Sequence, residues 1–96
     1  MKIHVQYFGQ VRALLNKREE EVEVASTATV LQLLQHLAHA YGDAFEEEIL
    51  EDDGKNVREG LLVTVNGRAI GQLEGVHTGL NAHDVLALLP LFAGGG

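Results

Sequence analysis

Cysteine and tryptophan are absent from this chain of 96 residues, and proline occurs once. The first absence excludes a disulfide framework, a thiolate-bound metal and a cysteine nucleophile. Positive charge is also scarce: 7 Lys and Arg stand against 14 Asp and Glu, a formal net charge of -7 at neutral pH. Acidic runs occur at Glu19-Glu20-Glu21, Glu46-Glu47-Glu48 and Glu51-Asp52-Asp53, and there is no basic stripe interleaved with aromatics. Such charges repel a phosphate backbone, so a nucleic-acid partner is disfavoured. The runs read as solvated faces, which also suit docking to basic proteins. No apolar run is long enough to span a bilayer, and residues 1–7 are too polar for the apolar segment of a signal peptide. No membrane partner is expected, and the cytoplasm is the default location. Glycine-rich phosphate loops of the dinucleotide or Walker type are missing as well.

What is present suits one domain over residues 1–96: apolar content of 46% supports a single core without disulfides or a structural metal. Residues 3–8 alternate, with Ile3, Val5 and Tyr7 on one face and His4, Gln6 and Phe8 on the other, the period of a half-buried strand. Val11, Leu14 and Leu15 suggest a short helical turn, and the alternation at residues 21–24 a second strand. Ser26, Thr27 and Thr29 offer N-caps to a stripe of Val30, Leu33, Leu34, Leu37 and Tyr41, which predicts the main helix, closed by Gly42. A shorter segment at 44–50, carrying Phe45 and Ile49, leads into an exposed acidic loop. Strand character resumes at 61–65, and Asn66-Gly67 predicts a type I′ hairpin turn with a return over 68–70. After a stretch punctuated by Gly71, Gly75 and Gly79, a last strand over 85–89 is expected to stop at Pro90. This order predicts an α+β fold of the β-grasp kind, a mixed sheet crossed by one main helix. A ferredoxin-like sandwich would need a second long amphipathic helix, and 44–50 is too short.

The last strand shows no polar alternation, so with one helix covering the sheet, one set of its side chains lacks a core. An outer apolar patch of Phe8 and Leu89 beside the chain's end is one reading. The other is a central strand with both faces buried by loops, and Phe8 capping a core edge. His36 and His39 lie one helical turn apart without a third ligand, so a solvated helix face is the expectation and no metal is assigned. His83-Asp84 reads as a turn entering the last strand, since no nucleophile completes a triad. Residues 91–96 form a tail ending in Gly94, Gly95 and Gly96. Six residues extend roughly 20 Å at about 3.3 to 3.6 Å each. Glycines without Cβ atoms make that tail thin enough to enter a partner's cleft.

Three stretches in order, Tyr7-Phe8-Gly9-Gln10-Val11-Arg12-Ala13-Leu14, Val65-Asn66-Gly67 and Asp84-Val85-Leu86-Ala87-Leu88-Leu89-Pro90 before the terminal glycines, resemble the small, sulfur-carrying subunit of molybdopterin synthase. That family lies within the ubiquitin-like sulfur carriers, which include the thiamine thiazole carriers; the aromatic-Gly-Gln-Val-Arg segment favours the molybdopterin branch. The resemblance implies that a ubiquitin-activating-like adenylyltransferase uses ATP to convert the terminal glycine carboxylate to an acyl-adenylate. A sulfur donor protein then supplies sulfur, and the resulting thiocarboxylate serves the large subunit of molybdopterin synthase in building the dithiolene from a cyclic pyranopterin monophosphate. The chain itself binds no cofactor and contributes sulfur to its partner's catalytic pocket. The resemblance makes Gly96 the reactive end, with Gly95 and Gly94 keeping the approach thin. Phe8, Leu89, Phe92 and Arg12 become partner contacts, Arg12 toward an acidic group. This sequence departs from the family in its third glycine and in Pro90-Leu91 where Pro-Pro is common, so Gly95 is the reactive end if the chain is trimmed. The same activated tail would also serve a ubiquitin-like protein modifier or a carrier for tRNA thiolation.

Overall fold

The alternation of Ile3, Val5 and Tyr7 becomes strand β1 (Lys2–Tyr7), with all three side chains fully buried. The computed structural model describes residues 1–91. After β1 come helix α1 (Gly9–Leu15), β2 (Glu19–Glu23), α2 (Val30–Tyr41), α3 (Asp43–Ile49), β3 (Leu61–Val65), β4 (Arg68–Ala69), two 3-10 turns at Ile70–Gln72 and Gly75–His77, and β5 (Val85–Pro90). The sheet order is β2-β1-β5-β3-β4, with β1 and β5 parallel and the other neighbours antiparallel. This is the β-grasp arrangement. None of the helices is long and apolar enough to cross a membrane among the described residues.

The register sets the faces. Val5 lies opposite Leu86, Tyr7 opposite Leu88, and Leu88 opposite Val63, so these point to one side. There they join Val11, Leu33, Leu34, Leu37, Phe45 and Ile49 from the three helices in one hydrophobic core. Burying each such side chain contributes about 1.5–3 kcal/mol. Tyr7 meets Phe45 edge-on, with ring centroids 6.3 Å apart, and Phe45 also packs on Tyr41 at 5.4 Å.

Helix α2 starts where the candidate caps placed it, at Thr29. The Gln32 N–H donates to Thr29 Oγ1 at 3.3 Å, and the Thr29 N–H donates to Gln32 Oε1 at 2.9 Å, a reciprocal capping box. Thr29→Ala is therefore expected to cost about 1 kcal/mol. Thermal melting should show a midpoint lower by roughly 4–8 °C; an unchanged midpoint would show that the box contributes nothing. Gly42 ends the helix at φ 93, a value that favours glycine.

Three boundaries differ from expectation: the second strand covers Glu19–Glu23 rather than 21–24, the hairpin return ends at Ala69 with Ile70 entering a 3-10 turn, and the last strand, which does end at Pro90, includes it. Pro90 lies opposite Leu61, and the Leu91 N–H donates to Gly60 O at 2.7 Å. Proline's missing donor would face β1, but β1 ends at Tyr7 and Phe8 O already accepts from the Arg12 N–H of α1. No ladder bond is lost there, so proline is tolerated.

A polar cluster fastens the same end of the sheet. Glu20, on the helix-facing side of β2, accepts from Tyr7 Oη at 2.5 Å and from Tyr41 Oη, while Lys17 Nζ donates to Tyr41 Oη at 3.0 Å and sits 3.4 Å from Glu20 Oε1. Burial alone would raise the Glu20 pKa, but hydrogen bonds from Tyr41 and Tyr7 and the Lys17 charge outweigh it, holding the carboxyl below its ordinary value near 4.5. Tyr7 moves upward, first by burial and then by the bond to Glu20. A carboxyl with a lowered folded pKa binds fewer protons folded than unfolded. Its contribution is complete above about pH 4.5 and is lost as pH falls through the folded value. In denaturant titrations the gap between the wild type and Glu20→Gln should narrow from pH 7 to pH values below about 4. A gap independent of pH would remove the carboxylate from the explanation. Above about pH 10 the unfolded tyrosines lose protons first, so stability should fall there too.

Candidate docking face and tail root

The opposite face of the sheet carries none of these helices among the described residues. Along β5 it presents Val85, Ala87 and Leu89; the register puts His4 and Gln6 of β1 beside Val85 and Ala87, and Leu62 and Thr64 of β3 beside Leu89 and Ala87. Phe8 continues this face one residue beyond β1. Its backbone stays extended at φ -131 and ψ 158, and its N–H donates to Leu88 O at 3.2 Å, which sets it next to Leu89. Phe8, Leu62, Val85 and Leu89 are all half-buried, and none joins the core. The result is a small apolar group around Ala87 on an uncovered sheet face.

β5 is central, and of its outer side chains only Ala87 is buried, while Val85 and Leu89 stay half-buried. Leu62 was missing from the sequence-based candidates because it shows its face only through its pairing with Leu89. The signal available was the run Leu61-Leu62-Val63, whose alternation turns Leu62 outward once Val63 points inward.

Arg12 shares this end of the sheet. Its guanidinium lies over the Phe8 ring, 5.0 Å from the centroid, and its Nε donates to Tyr7 O at 2.9 Å. A cation held by a ring face and a carbonyl loses little further side-chain freedom when it meets a carboxylate. Next to it the chain turns sharply at Gly9, with φ +59; a Cβ there would lie 3.2 Å from Pro90 Cγ. Gly9 thus lets Pro90 close over the start of α1, and Leu91, exposed by 61%, leaves from the same edge. The tail begins at the end of the central strand, beside Phe8 and Arg12. Phe92, Gly94, Gly95 and Gly96 lie outside the described residues.

The histidines are dispersed. His36 and His39 stand exposed on α2, and no group of His, Asp and Glu is arranged to hold a metal ion among the described residues. His83 adopts φ 70 in the turn before β5, where Asp84 accepts from Asn66 Nδ2 at 2.9 Å and from the Asn81 N–H at 2.8 Å. The pair shapes the entry to the strand.

Residues 5–95 match the model of the ThiS family. The chain belongs to that family. ThiS-family chains are ubiquitin-like sulfur carriers, and the relatives of this one include proteins named as modifiers. Small archaeal modifier protein 3 of Haloferax volcanii is 28% identical over 95 residues, covering 99% of this chain and 100% of the relative. Among solved structures, SAMP1 from Haloferax volcanii superposes with a TM-score of 0.83 at 28% identity, covering 99% of this chain and 100% of the other. A putative molybdopterin converting factor, subunit 1, from Pyrococcus furiosus gives 0.74 at 26% identity, covering 96% and 99%. The fold and the sulfur-carrier group expected from sequence therefore hold for this ThiS-family chain.

Proposed function

We propose that this chain carries sulfur on its C-terminal glycine for molybdopterin biosynthesis, as the small subunit of molybdopterin synthase. The observation that carries the reading is that the central strand ends at Pro90 beside an uncovered apolar face, with a glycine run following in the sequence. A carboxylate is a poor electrophile because attack must expel oxide. A ubiquitin-activating-like partner therefore uses ATP, releasing pyrophosphate and leaving Gly96 as an acyl-adenylate. A persulfide on a donor protein attacks the carbonyl and expels AMP; a thiol then reduces the acyl disulfide, freeing the thiocarboxylate and forming a second disulfide. The loaded tail enters the large subunit, whose pocket holds the pyranopterin. On this reading Phe8, Leu62 and Leu89 dock the partner, Phe92 extends that contact along the tail, and Arg12 meets an acidic group. The cytoplasm is the proposed site of this chemistry, since it supplies the ATP.

A second reading is a ubiquitin-like modifier, favoured by the name of the Haloferax volcanii relative aligned over nearly its whole length; a carrier for tRNA thiolation uses the same activated tail. Mass spectrometry of the protein from its own cells separates these. Replacement of one oxygen by sulfur at the C-terminus is expected for a carrier, and a lysine-linked Gly-Gly remnant on other proteins marks a modifier. If neither form is found under conditions of active cofactor synthesis, the proposal fails. A sulfur-loaded chain that supports tRNA thiolation but not dithiolene formation would sink the molybdopterin assignment alone.

A further inference from the structure

β2 forms one edge of the sheet, and its outer side is unpaired among the described residues. The Tyr7 N–H donates to Arg18 O at 2.7 Å, and the Val24 N–H donates to Met1 O at 2.9 Å. In an antiparallel ladder alternate residues bond to the same neighbour, so Arg18, Glu20, Val22 and Val24 turn their backbone groups toward β1. Glu19, Glu21 and Glu23 turn theirs outward. Such an edge is a template for another strand.

The side chains decide which strand fits. Glu19, Glu21 and Glu23 are exposed and share the outer face of the sheet. On their inner flank β1 already answers them with nitrogen groups: Lys2 is the register partner of Glu23 and His4 that of Glu21, His4 Nε2 bonds to Glu19, and the Met1 ammonium lies 2.6 Å from Glu23 Oε2. The other flank of the ladder is empty among the described residues. A second copy would set glutamates against glutamates there, which opposes self-pairing. A strand with Lys or Arg at every second position repeats the complementarity that β1 shows. An open groove of about 590 Å³ lies beside the end of β2, between it and α2, lined by Glu23, Val24, Ala25, Ala28, Gln32 and His36. It gives room for the intervening side chains of an added strand.

We propose that the free edge of β2 and its groove receive an extended segment of a partner protein as a sixth strand, basic residues facing Glu19, Glu21 and Glu23 and small apolar residues facing the groove. Backbone hydrogen bonds hold the segment, and the alternating side chains select it. The groove lies at the Glu23 end of β2, beside Lys2, whereas the tail leaves at the Tyr7 end of β1. The groove is therefore set apart from the tail root, and the proposal holds whether the tail carries sulfur or modifies lysines.

The probe is an end-blocked octapeptide alternating Lys and Val, titrated into the full chain with amide exchange followed by NMR. At saturation the amides of Glu19, Glu21 and Glu23 should exchange at least about tenfold more slowly. Glu21→Lys should weaken binding by about tenfold or more, Glu21→Gln by less, with both variants folded because the position is exposed. A matching peptide of alternating Glu and Val should not bind. The proposal is overturned by absence of binding at millimolar peptide, by binding that leaves the three amides unprotected, by shifts centred on Phe8 and Leu89, or by a dimer formed through this edge.

Discussion

Removal of Gly94, Gly95 and Gly96 should abolish thiocarboxylate formation while leaving affinity for the large synthase subunit within about tenfold of the full chain. The two effects separate because they reside in different parts of the molecule. On the proposed reading the reacting carbonyl belongs to the terminal glycine, so removal of all three glycines leaves no proper residue on which an acyl-adenylate forms. Affinity is expected from the apolar group of Phe8, Leu62 and Leu89, since a few central residues usually dominate an interface. A Val at Gly95 should do nearly as much damage as the deletion, because its branched Cβ obstructs a passage shaped for bare backbone. Reconstitution with the activating partner and intact-mass measurement reads the loading, and titration calorimetry reads the affinity. Retained loading would sink the assignment of the tail; joint loss of loading and affinity would show that the tail itself docks. Deleting Gly96 alone decides between the two candidate termini, since loading persists only if Gly95 is a competent end.

The second large effect lies in two adjacent leucines. Leu88 is completely buried, paired with Tyr7 on one side and Val63 on the other. Leu88→Ala should cost about 2–5 kcal/mol, because the cavity in the central strand is lined by sheet and helix side chains that cannot all collapse into it. For a domain whose total stability is about 5–15 kcal/mol, that is a large fraction, visible as a much lower melting temperature. Leu89, one residue on, faces outward and is only half-buried. Leu89→Asp should leave folding cooperative but reduce affinity for the large subunit by about thirtyfold or more, as a charge placed in a desolvated contact must lose its hydration. Melting and calorimetric titration of both variants give four numbers. If Leu89→Asp binds as well as the wild type, the outer face is not the docking surface.

Much of this arrangement is legible in local pattern. The i, i+3, i+4, i+7 stripe from Val30 to Leu37 describes one helix face wherever the helix packs, and Thr29 and Gly42 bracket it with chemistry that acts within a few residues. Asn66 and Gly67, at φ 52 and 83, take the left-handed conformations that their sequence favours. The alternation of β1 likewise turned Phe8 away from Ile3, Val5 and Tyr7 before any neighbour was known. That Pro90 ends the last strand was read from sequence, but not that it belongs to the ladder: this depends on which neighbouring strand would have received its N–H, and that is a fact about the sheet.

By itself, then, the sequence determined which segments are helix or strand, which side chains point together within each, that no thiol is available, and that a glycine run follows the last strand. Those are properties of short stretches, ruled by backbone sterics and side-chain period. Only the tertiary structure decided that β5 is central, that Leu62 joins Leu89 and Phe8, that Arg12 lies over the Phe8 ring, that Glu20 of an acidic run is enclosed by two tyrosines, and that Glu19, Glu21 and Glu23 edge the sheet. Each depends on pairing between residues far apart in the chain, where register and strand order, set by burial of one common core, choose the neighbours.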